Sequence, residues 1–173
     1  MLNPFEIFNL PVDFQLDMQN LNIRYLEMQK NLHPDNFVSS SAVEQRIAIQ
    51  KSTEVNDALK TLKDPILRAE AIISINTGEQ KDLEQKSVQD VAFLMQQLQW
   101  RERLENLENQ KDEAALDNFA KEIKQETLQL LTALSDTLRS QQWEKASQLC
   151  DKLRFTRKLT EEIERVEEHL FTF

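Results

Sequence analysis

Two stretches of helical periodicity meet at Asn31-Leu32-His33-Pro34-Asp35-Asn36-Phe37, and the proline at the junction forbids one continuous helix. Proline fixes its own φ, has no N–H to donate and pushes its predecessor, His33, out of the α region. A chain folding around this point has to turn there. The turn is expected to be a rigid loop that offers an imidazole and a carboxylate to solvent.

Everything around that loop reads as helix. The 173 residues include one Gly and four Pro, which leaves little material for β-turns, and Leu, Gln, Glu and Lys dominate. These side chains lose little rotamer freedom in a helix. An all-α fold follows.

Asn3-Pro4-Phe5-Glu6 has the pattern of a helix start, with Asn as cap, Pro at the first position and Glu three residues after the cap. That helix is short, ends near Asn9-Leu10-Pro11 and carries Phe5 and Phe8 on one side. Asp17 caps a second helix to about Leu32, where Leu21, Tyr25, Met28 and Leu32 fall within about 60° of one another and form the buried stripe. Arg24 and Lys30 lie off it and are expected to be exposed. Beyond the loop, Ser39-Ser40-Ser41 offers caps for a third helix with Ala48, Val55, Leu59 and Leu62 on one face. Lys63-Asp64-Pro65 ends it, and Pro65 opens a fourth through Ile66, Ala69 and Ile73.

Asn76-Thr77-Gly78-Glu79-Gln80 holds the glycine, a natural helix C-cap and the best boundary. The expected division is 1–75, a linker over 76–86, and 87–173. In the last part Ser87-x-x-Asp90 resembles a capping box opening a helix to about Glu108. Lys111-Asp112 starts another, with Leu116, Phe119, Ile123, Leu130 and Leu134 on one face. A break at Ser140-Gln141-Gln142 precedes the last, from Trp143 to about Leu170. Long helices with short turns imply an antiparallel three-helix bundle.

The helix from Val88 to Glu108 carries two apolar stripes. With Val91 at 0°, Phe93, Trp100, Leu104 and Leu107 lie at about 160–220°, whereas Leu94, Met95 and Leu98 lie at about 300°, 40° and 340°. A surface helix in a bundle needs one such stripe. Gln99, Glu102 and Asn106 extend the second as a polar margin, and Phe155 on the last helix is likewise off its own core direction. Exposed Leu and Met suit a partner surface that must adapt in shape; packing against the N-terminal region explains the same pattern.

Charge narrows the function classes. The first 75 residues carry seven Lys or Arg against ten Asp or Glu, and the rest fourteen against twenty. Neither half is basic, which argues against nucleic acid. No apolar run reaches the roughly 18–20 residues that span a bilayer, and Met1 to Leu10 lacks the basic region of a targeting peptide. Cys150 stands alone, so disulfides and Cys-based metal sites within one chain are excluded. A cytoplasmic protein with no metal and no cofactor is expected. Residues flanking a proline on an open loop make no pocket with a nucleophile beside it, so no catalytic set is expected.

Arg24…Lys30…His33-Pro34-Asp35, then Phe37, Val55-Asn56-Asp57-Ala58, Leu62, Asp64-Pro65 and Arg68-Ala69-Glu70 resemble a J domain. Asn36 departs from the Lys common at that place. The absence of a Gly/Phe-rich linker and a Cys-rich region sets the chain apart from general chaperones of the DnaJ type. With Ala92-Phe93-Leu94-Met95…Leu98…Arg101-Glu102…Leu104 and Lys152-Leu153-Arg154-Phe155, the whole chain is similar to the bacterial HscB family of J-domain co-chaperones. The resemblance implies two partners: the DnaK-type ATPase HscA, engaged by His33, Pro34, Asp35, Arg24 and Lys30, and the iron–sulfur scaffold IscU. The scaffold site it implies is Leu94, Met95, Leu98, Gln99, Glu102, Asn106 and Phe155, the second stripe found from helix geometry. Relatives carry carboxylates at the positions of Gln99 and Asn106. A J-domain protein with another client, or a helical adaptor with an accidental tripeptide, are the competing readings.

Overall fold

The computed structural model describes residues 2–78 and 90–171, all helices and turns, and the chain divides after Gly78 into two compact units. The first holds α1 (Pro4–Ile7), α2 (Met18–Asn31), a 3₁₀ turn (Pro34–Phe37), α3 (Ala42–Lys63) and α4 (Pro65–Thr77). The second holds α5 (Val91–Gln110), α6 (Glu113–Arg139) and α7 (Trp143–Phe171).

Side-chain caps set most helix starts. The Asn3 side chain accepts the Glu6 N–H at 2.9 Å while Glu6 reaches back to the Asn3 N–H, a reciprocal capping box. Asp17 accepts from Gln19 and Asn20, and Ser41 from Glu44. Asp64 caps α4 through the Ile66 N–H at 2.9 Å, with Pro65 at the first position.

In the first unit α3 is the spine, packed by α1, α2, α4 and the 3₁₀ turn. Phe5, Phe8, Phe14, Leu21, Val55, Leu62 and Ile66 form the core. Leu59 and Ile73, expected on buried faces, are half-exposed, while Ala58 and Ile72 take the buried places. Arg68 is buried with them: its Nη1 donates to the Leu62 carbonyl at 2.7 Å and its guanidinium lies 4.7 Å from the Phe14 ring centre. Burial lowers its pKa against the opposing pull of Asp64.

α4 runs to Thr77, two residues into the expected linker, and Gly78 follows at φ 71° as its left-handed cap. The remainder of that linker, and Ser87, lie outside the described residues. The α5 cap is Asp90, three residues later than the Ser87 expectation, accepting the Phe93 N–H at 3.1 Å.

The second unit runs up-down-up. Arg103 of α5 pairs with Glu122 of α6 at 2.6 Å, while Asp90 and Arg101 of α5 pair with Lys152 and Glu162 of α7 at 3.3 and 3.6 Å. Sequence numbers therefore rise together along α5 and α7, with α6 antiparallel to both. Trp100, Leu104, Leu107, Leu116, Phe119, Ile123, Leu159 and Ile163 form a core cluster. Two of its turns use non-glycine residues in the left-handed region, Lys111 at φ 53° and Gln141 at φ 59°.

Candidate docking surfaces on the two units

At the loop, Pro34 opens the 3₁₀ turn, and His33 sits before it at φ −59°, ψ 138°, extended as a residue preceding proline has to be. The His33 Nδ1 accepts the Asp35 backbone N–H at 3.2 Å and lies 3.5 Å from the Asp35 carboxylate. The Asp35 side chain is 87% exposed. Asn36, the departure from the common Lys, has a structural part in the loop. Its amide donates to the carbonyls of Lys30 at 2.8 Å and Asn31 at 3.3 Å, satisfying orphan acceptors at the end of α2.

Lys30 is exposed, as expected from its place opposite the buried stripe. Arg24 is not. It is half-buried, its Nη1 donating to the carbonyls of Phe8 at 2.8 Å and Asn9 at 3.2 Å and its Nε to Asn20 at 3.4 Å. The cause is the exposed end of α1, whose carbonyls need donors, packed within reach of α2. Between α2 and α3, Tyr25 and Gln29 both donate to the Asn56 side-chain oxygen, at 2.7 and 2.9 Å, and Ser52 donates to Gln29 at 3.0 Å. That network holds the two helices in register beneath the loop.

On α5 the two stripes separate as the wheel requires. Trp100, Leu104 and Leu107 are buried, while Leu94, Met95 and Leu98 are 40%, 54% and 64% exposed, with Gln99, Glu102 and Asn106 also exposed. Phe155 departs from its expectation. It is half-buried, edge-on to Phe93 with centroids 5.8 Å apart and stacked on Trp100 at 6.0 Å, with the Arg101 guanidinium 5.2 Å from its centroid. The structure groups it with the core side of α5 rather than with the outward stripe, because offset stacking and T-shaped contacts hold an aromatic ring in a seam. Lys152 braces the same seam, 5.6 Å from the Phe93 centroid and paired with Asp90.

Among the described residues no group of three or more His, Cys, Asp or Glu is placed to hold a metal ion, and no helix is long and apolar enough to cross a membrane.

Residues 89–164 match the family model described as the HscB C-terminal oligomerisation domain. The chain is 77% identical to the co-chaperone protein HscB homolog of Haemophilus influenzae, over 99% of this chain and 98% of that one. It belongs to the HscB family of co-chaperones. The HscB homolog of Pasteurella multocida is 59% identical over 99% of this chain and all of that one. The solved structure of the chaperone HscB from Vibrio cholerae superposes with a TM-score of 0.88 at 37% identity, covering 98% of this chain and 100% of that one. The fold class is accordingly an all-α J domain followed by a helical bundle, as the sequence implied.

Proposed function

We propose that the protein binds the scaffold IscU through the outward face of α5, delivers it to the ATPase HscA and stimulates that ATPase through the His33-Pro34-Asp35 loop. It catalyses no reaction itself. The observation that carries this reading is the pairing of an open, oriented Asp35 with a separate apolar face on another unit of the chain. A carboxylate 87% exposed on a stiff loop is ready for a charge-assisted hydrogen bond to an arginine of the ATPase. Lys30, exposed in the last turn of α2, supplies a positive charge, while Arg24 acts chiefly by holding the end of α1 against α2.

On the bundle, Leu94, Met95 and Leu98 supply area whose burial is worth about 1.5–3 kcal/mol for each fully covered side chain, and a few such residues dominate an interface. Glu102 adds a charge at the margin; Gln99 and Asn106 add neutral hydrogen bonds. Phe155 supports the face from its seam. Assembly of iron–sulfur clusters in the cytoplasm is the setting this pair of partners implies.

The test is direct. Purified full-length protein is titrated into HscA with and without IscU, and steady-state ATP hydrolysis is followed. A rise with protein alone, increased further with IscU, supports the reading; a flat rate excludes it. Scaffold binding without stimulation would favour the helical adaptor, and stimulation without scaffold binding would favour a J-domain protein for another client.

A further inference from the structure

We propose that Met95 makes scaffold binding sensitive to peroxide: a hydroperoxide oxidises its thioether to the sulfoxide and loosens the seat on α5, and reduction by thiols restores it. The inference rests on the reading above, in which the outward face of α5 holds IscU, and it adds a modification that regulates that face.

The sulfur is placed where an oxidant finds it. Met95 is 54% exposed. The other sulfurs described are sheltered: Met18 and Met28 are half-buried, and Cys150 is buried. Oxidation of a side-chain sulfur follows its access to the reagent, so Met95 is expected to react first.

Met95 also stands where the product does most harm. With Val91 at 0° it lies at about 40°, within about 60° of Val91, Leu98 and Gln99, its neighbours one turn away. Val91 is 68% and Leu98 64% exposed, so the thioether joins two apolar side chains to the polar margin of the same face. Reduced, it is an unbranched apolar group that moulds to a partner. The sulfoxide is polar and chiral, with an oxygen that has to be hydrated or hydrogen-bonded when a partner covers it. Trp100, Leu104 and Leu107, which pack the bundle, lie on the other side of the helix. The bundle core therefore does not feel the change.

The step balances with the hydroperoxide as sole oxidant. A sulfur lone pair attacks the terminal peroxide oxygen, and the S–O bond forms as the O–O bond breaks. The proton of that oxygen passes to the departing one, which leaves as an alcohol, or as water from hydrogen peroxide. Sulfur loses two electrons and the peroxide gains them. Return takes two thiols, which become a disulfide as the sulfoxide oxygen leaves as water, the reaction of methionine sulfoxide reductases.

The test treats full-length protein with hydrogen peroxide, removes the excess with catalase and maps the oxidised residues by peptide mass spectrometry. Only then is IscU affinity measured by calorimetry. At the dose that converts Met95, the dissociation constant is expected to rise at least about tenfold, in line with loss of one buried side chain. The reductases for both sulfoxide epimers, with dithiothreitol, should return it. The melting temperature should hold. Met95→Leu, compared with itself before and after peroxide, should change less than about twofold whatever its starting affinity, because leucine has no sulfur to oxidise.

Unchanged affinity with Met95 oxidised would overturn the inference, as would oxidation of Met18 or Met28 ahead of Met95. So would a loss that persists in Met95→Leu, or one accompanied by a lower melting temperature. Leu94→Ala/Leu98→Ala separates this failure from failure of the face itself. If that pair binds IscU as wild type does, the scaffold reading falls and the inference with it. If the pair binds weakly while the oxidised protein binds normally, the inference falls alone.

Discussion

The imidazole Nδ1 of His33 accepts the backbone N–H of Asp35 at 3.2 Å, and this bond decides how the Asp35 carboxylate leaves the loop. His33→Phe keeps a ring and removes the acceptor. ATPase stimulation is expected to fall at least about tenfold, with less than about 1 kcal/mol lost in stability because the bond is exposed. His33→Asn should recover part of the activity, since an Asn side chain can accept from the backbone two residues on. An ATPase titration beside a thermal melt checks both.

Asn36 closes α2, so its removal acts on stability first. Asn36→Ala is expected to cost about 0.5–1.5 kcal/mol, the net worth of an ordinary hydrogen bond. Urea denaturation followed by circular dichroism measures it. A stability equal to wild type would mean that water replaces the amide on the Lys30 and Asn31 carbonyls without loss.

With a single glycine in the chain, α5 ends on Lys111 at φ 53°, a conformation that costs an L-residue about 1–2 kcal/mol. Lys111→Gly should therefore raise stability, by about 0.5–1 kcal/mol after the added freedom of the unfolded chain is counted. A higher melting temperature of the full chain is the expected result.

Asp90 caps α5 and pairs with Lys152. Its pKa is lowered chiefly by the Phe93 N–H, with Lys152 assisting. A depressed folded pKa means the stabilisation is present above the ordinary carboxylate pKa and lost as pH falls through the folded value. Asp90→Ala should lower the melting temperature at neutral pH, because the cap is lost. The gap between the melting temperatures of variant and wild type should shrink as the solution is acidified.

The helices were legible because their limits are written in local chemistry. Asn3, Asp17, Asp112 and Gly78 act within a turn of where they stand, and Pro34 and Pro65 are unambiguous. The outward stripe on α5 was legible for a related reason: a second apolar direction on one helix is visible in periodicity alone. Arg24 was not, because its partners are carbonyls 15 and 16 residues away on an element whose approach the sequence does not encode locally. The neighbours of Phe155 were not legible either, because helix arithmetic finds a direction but not the Trp100 ring in the seam. Ser87 and Asp90 are both good caps, and only the start of α5 at Val91 chose between them.

The independence of the two proposed docking faces is tested most directly by crossing two variants with two assays. Asp35→Ala and Leu94→Ala/Met95→Ala/Leu98→Ala are each measured for HscA stimulation and for IscU affinity by calorimetry. The first should abolish stimulation at unchanged scaffold affinity; the second should weaken scaffold affinity at least about a hundredfold at unchanged stimulation in the absence of scaffold and with an unchanged melting temperature. Loss of both activities in either variant, or unfolding of the triple variant, would contradict it.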